Sequence, residues 1–592
     1  MQNGPQLNPE QQRVINQNDG HQLIVAGPGT GKTHTLTQKI LHLLHSGSAP
    51  QEIVAITFTT KAAEEMRDRI ESQSNSIPFI GTFHALAHRI LKAAGSDFAL
   101  LQPAQQDAIL SELTPKLKQK EKKEFKRILT LAKNQIIPFE DVNTFLDQNR
   151  VQNLFSQYAL KLEQENLIDF DDLLLKGLEH LKESGAHPKH LFIDEYQDIN
   201  EIQYRIIRTL SGPETNIYAI GDPDQSIYAF RGSNLEHFLR FEKDFPTAVR
   251  TNLEQNYRST PQIIAAANAL IKSNTKRIEK EIKATKSDST TITLHPFQTE
   301  WQEGRFITKE ISQLVGGTDM IQSHSLVHAQ KEYHFSDIVI LYRTRAQSRV
   351  ITECLKKEGM PFQCISTIPW YQKAEVQELL QYIMYLQSPT AVTDISTPQK
   401  LLLNNYIRQH RDLSNSTPSS LIKKVTQYAR LEAQYDNRTP SSLQKLQNIR
   451  KLQAEAAMFD DSPGEEGLSR LLAHYALLRE HDHYNPKAQA ISLMTLHAAK
   501  GLEFPVVFIA GLEDGILPFH KEGEETNIEE ERRLFYVGIT RAQEKLYLSY
   551  ANNRNKAETK PSPFLAEIKA HVSEQALPKR GQQKPNNQMS LL

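Results

Sequence analysis

Three stretches of the chain carry the residue types that phosphoryl transfer requires: AGPGTGKT at 26–33, IDEYQD at 193–198 and GITRAQEKL at 538–546. In the first, Gly27, Gly29 and Gly31 permit a tight turn that aims successive backbone N–H groups at an anion. Lys32 is placed to bridge the β- and γ-phosphates of a nucleoside triphosphate, and the Thr33 hydroxyl to ligate Mg2+. Ala26, Pro28 and Thr30 complete the candidate cradle. Ala26 stands where the strict pattern has glycine, a cheap departure because the position ends a strand and needs no positive φ. In the second stretch, Asp194 is the candidate Mg2+ ligand, and Glu195 the group that orients and deprotonates the attacking water. The third offers Arg541, a cation able to reach the same phosphates from elsewhere in the chain.

These groups need rigid elements behind them. His21–Ala26 reads as a short buried strand, and the residues from Thr33 onward have helical apolar spacing at Leu36, Ile40, Leu43 and Leu44. The loop therefore opens a helix whose positive end faces the phosphates. His190–Ile193 is a second buried strand, ending at Asp194. Further apolar runs (IVAIT, IYAIG, IVILY, VVFIAG) alternate with helical segments, the pattern of α/β folds in which parallel sheets are covered by helices on both faces. No internal repeat is evident.

At 592 residues the chain is long enough for about four domains of roughly 150 residues. A hydrophobic content of 39% with 23% charged residues is that of an ordinary globular protein. The net charge of −1 excludes a bulk basic footprint, so any contact with nucleic acid must come from local patterning. One such run, KLKQKEKKEFKR at 116–127, holds seven cations and two acids; it reads either as a surface for duplex phosphates or as a solvated helix face. Two cysteines, Cys354 and Cys364, form neither a zinc nor a cluster site, and their scarcity suits a reducing cytoplasm. No apolar run approaches 18 residues and no signal pattern opens the chain, so a cytoplasmic, nucleoid-associated protein without a membrane partner is expected.

Further segments carry a resemblance. LNPEQQ (7–12), TFTTKAAEEM (57–66), GTFHALAHRIL (81–91), DFDDLL (169–174), GDPDQSIYAFRGS (221–233), LEQNYRST (253–260), LYRTRAQSR (341–349), TLHAAKGLEFPVV (495–507) and EEERRLFYVGITRA (529–542) stand in the order found in UvrD/Rep-type superfamily 1 DNA helicases. The chain resembles that family from about residue 7 to about residue 568. The resemblance implies two RecA-like P-loop domains, each interrupted by a mainly helical accessory insertion. It implies an ATP- and Mg2+-dependent motor acting 3′-to-5′ on single-stranded and tailed duplex DNA. Gln11 would then read the adenine, Tyr257 stack on it and Glu503 reach the ribose. Gln225 would sense the γ-phosphate, and Arg258 and Arg541 would act as arginine fingers. Phe58, Tyr228 and Phe230 would stack on bases, with ordinary core packing the competing role for Phe58. Thr82, His84, Arg231 and His497 would contact phosphate or sugar.

The motif positions divide the chain into a first core (1–97 and 166–250) with an insertion at 98–165, a second core (251–387 and 486–570) with an insertion at 388–485, and a polar tail at 571–592. The second insertion is shorter than relatives usually carry and lacks their Pro-Arg-Gly-Ile-Gly-like stretch. A translocase that strips proteins from DNA without unwinding it is therefore an alternative. So is the motor subunit of a helicase–nuclease, although the 50 residues after GITRA are too few for a nuclease domain. After about Ala576 the composition is that of disorder, yet the chain ends in an apolar cluster. Gln588, Met589, Leu591 and Leu592 resemble the short peptide by which bacterial proteins dock on the replication sliding clamp.

Overall fold

The computed structural model describes residues 7–576 apart from short internal stretches, the longest being 317–331, 388–398, 406–415 and 476–483. By its contacts the chain divides into two compact units. One comprises Met1–Ala26, Gly31–Leu253 and Thr367–His483; the other comprises Gly27–Thr30, Glu254–Ser366 and Tyr484–Leu592.

In the first unit, strands β1 (Gln22–Ala26), β2 (Ile53–Ile56), β3 (Phe79–Gly81), β4 (His190–Ile193), β5 (Asn216–Gly221) and β6 (Val249–Leu253) form one sheet in the order β3-β2-β4-β5-β1-β6. Every pairing is parallel. All residues of β1 and β4 are buried, as expected of strands covered on both faces, which is why these runs are apolar throughout rather than alternating. The core beneath the phosphate loop joins Ile24 and Ala26 to Leu36 and Ile40 of the helix Lys32–His45 and to Phe192 and Ile220 of neighbouring strands. Thus β4, β5 and β1 lie side by side, and their C-terminal ends all open toward one edge of the sheet.

Several helices of this unit begin with side-chain caps. Thr59 accepts from Ala62 N, Asp169 from Asp172 N, and Asn200 from Gln203 N in a reciprocal box, each satisfying a backbone donor that the first turn leaves open.

Each insertion has a hydrophobic core of its own. In the first, helices Pro103–Leu113, Gln119–Gln135 and Gln148–Gln164 gather around Phe125, Ile128, Leu129, Val151 and Tyr158. Leu117 and Phe125 of the basic run enter this core, whereas Lys118, Lys120, Lys123 and Arg127 are exposed. Lys126 pairs with Asp107 and Arg127 with Glu124. The insertion is seated on the acidic DFDDLL segment: Lys133 Nζ lies 2.6 Å from Asp169 Oδ2 and 2.8 Å from Asp172 Oδ1. Asn134 Nδ2 donates to Asp171 Oδ1 at 2.9 Å, and Asn200 Nδ2 donates to Asn134 Oδ1 at 2.9 Å. Burial, then the neighbouring Asp169 charge, push the Asp171 carboxyl up to about 7, against the opposing pull of Lys133.

The second insertion packs helices Ala374–Gln387, Pro418–Tyr428 and Pro440–Ala456 around Val376, Leu379, Ile383, Leu421, Val425 and Leu452. Helix Ala374–Gln387 lies before the expected boundary at 388, yet its apolar face belongs to this core.

In the second unit, strands β7 (Ile292–Phe297), β8 (Ile338–Tyr342), β9 (Phe362–Cys364), β10 (Ile491–Thr495), β11 (Phe504–Ile509), β12 (Ala542–Ala551) and β13 (Val572–Glu574) form a seven-stranded sheet in the order β9-β10-β8-β11-β12-β7-β13. It too is wholly parallel. The fold class is thus α/β, with two parallel sheets flanked by helices, as the apolar runs indicate. Cys354 and Cys364 are free thiols. No described helix is long and apolar enough to cross a membrane.

Candidate nucleotide and DNA site

The phosphate loop leaves β1 and enters the helix Lys32–His45 through Gly31, whose φ of 82° only glycine adopts without strain. No side chain caps that helix, so its first N–H groups and the positive end of its dipole are presented to an anion. Lys32 Nζ reaches back to Ala26 O at 3.3 Å, and Thr30 Oγ1 donates to Gly27 O at 2.8 Å. Gln11 is buried and exchanges caps with Asn8, its Oε1 accepting from Asn8 N at 3.0 Å. A Cβ on Gly31 would meet its Nε2 at 2.9 Å, so the amide borders the phosphate loop.

Asp194 follows β4, is buried, and accepts from Glu195 N at 2.9 Å through Oδ1. Glu195 has φ 50° and ψ 43°, the left-handed region, which is costly for a residue with a Cβ. Its carboxylate accepts from Gln197 Nε2. Gln197, fully buried, accepts from Asp222 N at 2.9 Å through Oε1. Asp222 Oδ2 in turn accepts from Gln225 Nε2 at 2.6 Å. Glu195 and Gln225 are therefore joined through Gln197 and Asp222, two buried side chains that the motif roles did not single out. The signal for them was their location: Gln197 inside the acidic motif, Asp222 at the end of a buried strand.

The second unit holds the candidate cations. Arg258 is anchored through Asn256, whose buried Oδ1 accepts from Arg258 N at 2.9 Å and Ser259 N at 2.8 Å. Its guanidinium forms an ion pair with Glu503, so the side chain expected at the ribose here faces an arginine. Arg541 is 2% exposed. Its Nε donates to Val537 O at 2.9 Å, one terminal nitrogen to Leu502 O at 3.0 Å and the other to Thr540 Oγ1 at 3.1 Å. Tyr257 has 44% of its surface exposed, and its hydroxyl donates to Gln255 Oε1 at 3.0 Å.

Among the expected DNA contacts, Phe58 stacks on Tyr228 with centroids 5.5 Å apart, and Tyr228 meets Phe230 at 6.1 Å. Arg231 lies 5.4 Å from the Tyr228 ring and 5.5 Å from that of Phe230. Phe230 is 60% exposed, whereas Tyr228 is buried. Phe58 is half-buried, between the two roles weighed for it. Thr82 caps the helix Phe83–Ala93, with Oγ1 accepting from Ala85 N at 3.2 Å. His84 meets Phe170 edge-on at 6.0 Å. His497 follows β10 and is half-buried. Gln588, Met589, Leu591 and Leu592 lie outside the described residues.

A parallel-sheet core with a glycine-rich loop at a helix N-terminus and an acidic strand end beside it is the arrangement of a nucleotide-driven enzyme. The chain belongs to the UvrD/REP helicase family. It matches the UvrD/REP helicase N-terminal domain over residues 7–246 and the UvrD-like helicase C-terminal domain over residues 251–396 and 390–553. Similar proteins include "ATP-dependent DNA helicase PcrA" of Leuconostoc citreum, 32% identical over 96% of this chain and 86% of that protein. The protein of the same description from Bacillus subtilis (strain 168) is 32% identical over 95% of this chain and 85% of its own length. That of Staphylococcus aureus (strain Mu50 / ATCC 700699) is 29% identical over 95% and 86%.

Proposed function

We propose that this chain is an ATP-dependent DNA helicase that moves 3′-to-5′ along single-stranded DNA and hydrolyses ATP to do so. One observation carries the reading: the phosphate loop, Asp194 and Asp222 stand at the C-terminal ends of three adjacent parallel strands, where ligands of open α/β sheets bind.

In this reading Lys32 and the loop N–H groups hold the β- and γ-phosphates, while Gln11 and Tyr257 hold the adenine. Thr33 and Asp194 would hold Mg2+, which would supply charge neutralisation at the phosphates. Glu195 accepts the proton of the attacking water, and Gln197 fixes the direction of that carboxylate. Gln225 senses the γ-phosphate and, through Asp222 and Gln197, shares one hydrogen-bonded network with the base. Arg258 and Arg541 are the arginine fingers of this reading, and rapid hydrolysis requires both at the phosphates that Lys32 holds. Domain movement that brings and withdraws them would couple turnover to motion along DNA. Phe58, Tyr228, Phe230 and Arg231 form the stacking platform for bases, each stack worth about 1–3 kcal/mol. Thr82, His84 and His497 contact the strand's backbone.

The domain limits proposed from the motifs, with cores at 1–97 plus 166–250 and 251–387 plus 486–570, go with this assignment, except that helix Ala374–Gln387 packs into the second insertion's core and strand Val572–Glu574 extends the second sheet into the segment expected to be tail. So does action in the cytoplasm on nucleoid DNA. The test is ATPase activity with and without oligo(dT), followed by strand displacement from a 3′-tailed duplex. Strong stimulation and displacement are expected, both lost in Lys32→Ala; no stimulation would sink the reading. The short second insertion favours one alternative, a translocase that does not unwind, and displacement of streptavidin without strand separation is its signature. Docking on a sliding clamp through the terminal QMSLL is a further proposal. Removing those five residues should abolish clamp capture in a pull-down, and unchanged capture refutes it.

A further inference from the structure

Thr82 and His84 do not stand on an open surface. They line a cleft of about 360 Å³ within the first unit, and part of its wall comes from the second insertion, as Phe459 and Arg470. Arg67 and Arg89 line it from helices Thr60–Glu71 and Phe83–Ala93. Three guanidiniums thus face one carboxylate, that of Glu64, among the lining residues. Arg67 is fixed by donating to Ile80 O at 2.7 Å. Arg89 lies 5.2 Å from the Phe79 ring, and Arg470 lies 5.9 Å from that of Phe459. Arg470 also pairs with Asp461 at 3.0 Å, a pair exposed on both sides. Such pairs are worth little, so a phosphate can replace the carboxylate at small cost.

Net positive charge, flat aromatic walls and room for a nucleotide but not for a double helix are the attributes of a single-strand site. We propose that the second insertion acts as a clamp on the single strand, with Arg470 contacting a phosphate and Phe459 a base where the strand passes Thr82 and His84. This rests on the reading of those two residues as DNA contacts. It gives the shortened insertion a role on the single-stranded track that does not require it to grip duplex.

The test uses the full chain carrying Phe459→benzoylphenylalanine, irradiated with labelled oligo(dT). The control is the same substitution at Leu443, an exposed residue of helix Pro440–Ala456 in the same insertion. Crosslinking at 459, competed by unlabelled oligo(dT) and absent at 443, is expected. In parallel, Arg470→Ala should reduce the slope of log K against log salt by about 0.7, the share of one phosphate on a single strand, and Arg470→Lys should restore it. No crosslink at 459 and an unchanged slope, in protein whose ATPase still responds to oligo(dT), would overturn the clamp and leave the helicase reading intact. If unmodified protein fails to bind oligo(dT) at all, the functional reading falls and the clamp with it.

Discussion

Replacing Arg258 with alanine should lower the DNA-stimulated kcat for ATP by about 10³–10⁵-fold, the usual contribution of an arginine finger, or roughly 4–7 kcal/mol of transition-state stabilisation. The structure makes this a clean experiment. The backbone at 258 is held through Asn256 Oδ1, not through the guanidinium, so the local chain path survives the change. Of the partners left behind, Glu503 has a side chain 47% exposed, which water can solvate without a large penalty, and the Thr540 carbonyl loses only a long contact of 3.5 Å. The loss should fall on kcat far more than on KM, because the interaction strengthens as charge develops in the transition state. A reduction of less than tenfold at saturating ATP and oligo(dT) would remove Arg258 from the catalytic assignment. Arg541 offers a poorer test, since its guanidinium already holds the backbone at Val537 and Leu502.

Arg554→Met is the second large effect, and it concerns stability. Arg554 joins two carboxylates in the interior of the second unit, at 2.5 Å from Glu303 and 2.6 Å from Glu513, all three buried. The excess negative charge is absorbed by backbone and hydroxyl donors: Gly511 N and Ser549 Oγ to Glu303, and Ala551 N to Glu513. Burial raises the Glu513 carboxyl while the arginine opposes that shift. Methionine fills similar volume but leaves two carboxylates uncompensated, a change that costs about 3–5 kcal/mol. At about 2–4 °C per kcal/mol for a unit of this size, the second unit's melting temperature should fall by roughly 6–20 °C. Differential scanning calorimetry reads this directly, and an unchanged melting point would show that the triad contributes nothing net.

Much of the molecule was legible because its strands are buried on both faces. Continuous apolar runs such as Leu23–Ala26 and Leu191–Ile193 announce themselves, and the candidate site residues stand immediately after them. Side chains that meet only in three dimensions were not legible. Gln197 and Asp222 are 25 residues apart, and no periodicity predicts that one accepts from the other's backbone. The Glu303–Glu513–Arg554 triad lies outside every motif, although each of its members is ionisable and buried. Thr82 combines an expected DNA role with helix capping, which local sequence alone could have suggested from threonine before a helical run. The limit of the second insertion shifted for a related reason. Helix Ala374–Gln387 carries apolar residues that suit either neighbouring core, and only packing decides which one receives them.

Glu195 carries a last consequence. Its backbone sits where glycine or asparagine would be comfortable, a conformation costing of order 1–3 kcal/mol. Relief is available by substitution, but only by discarding the carboxylate proposed to deprotonate water. At this position thermal robustness and turnover are opposed. Selection for heat resistance alone would drift toward an inert protein, whereas selection for speed must tolerate a locally weakened chain.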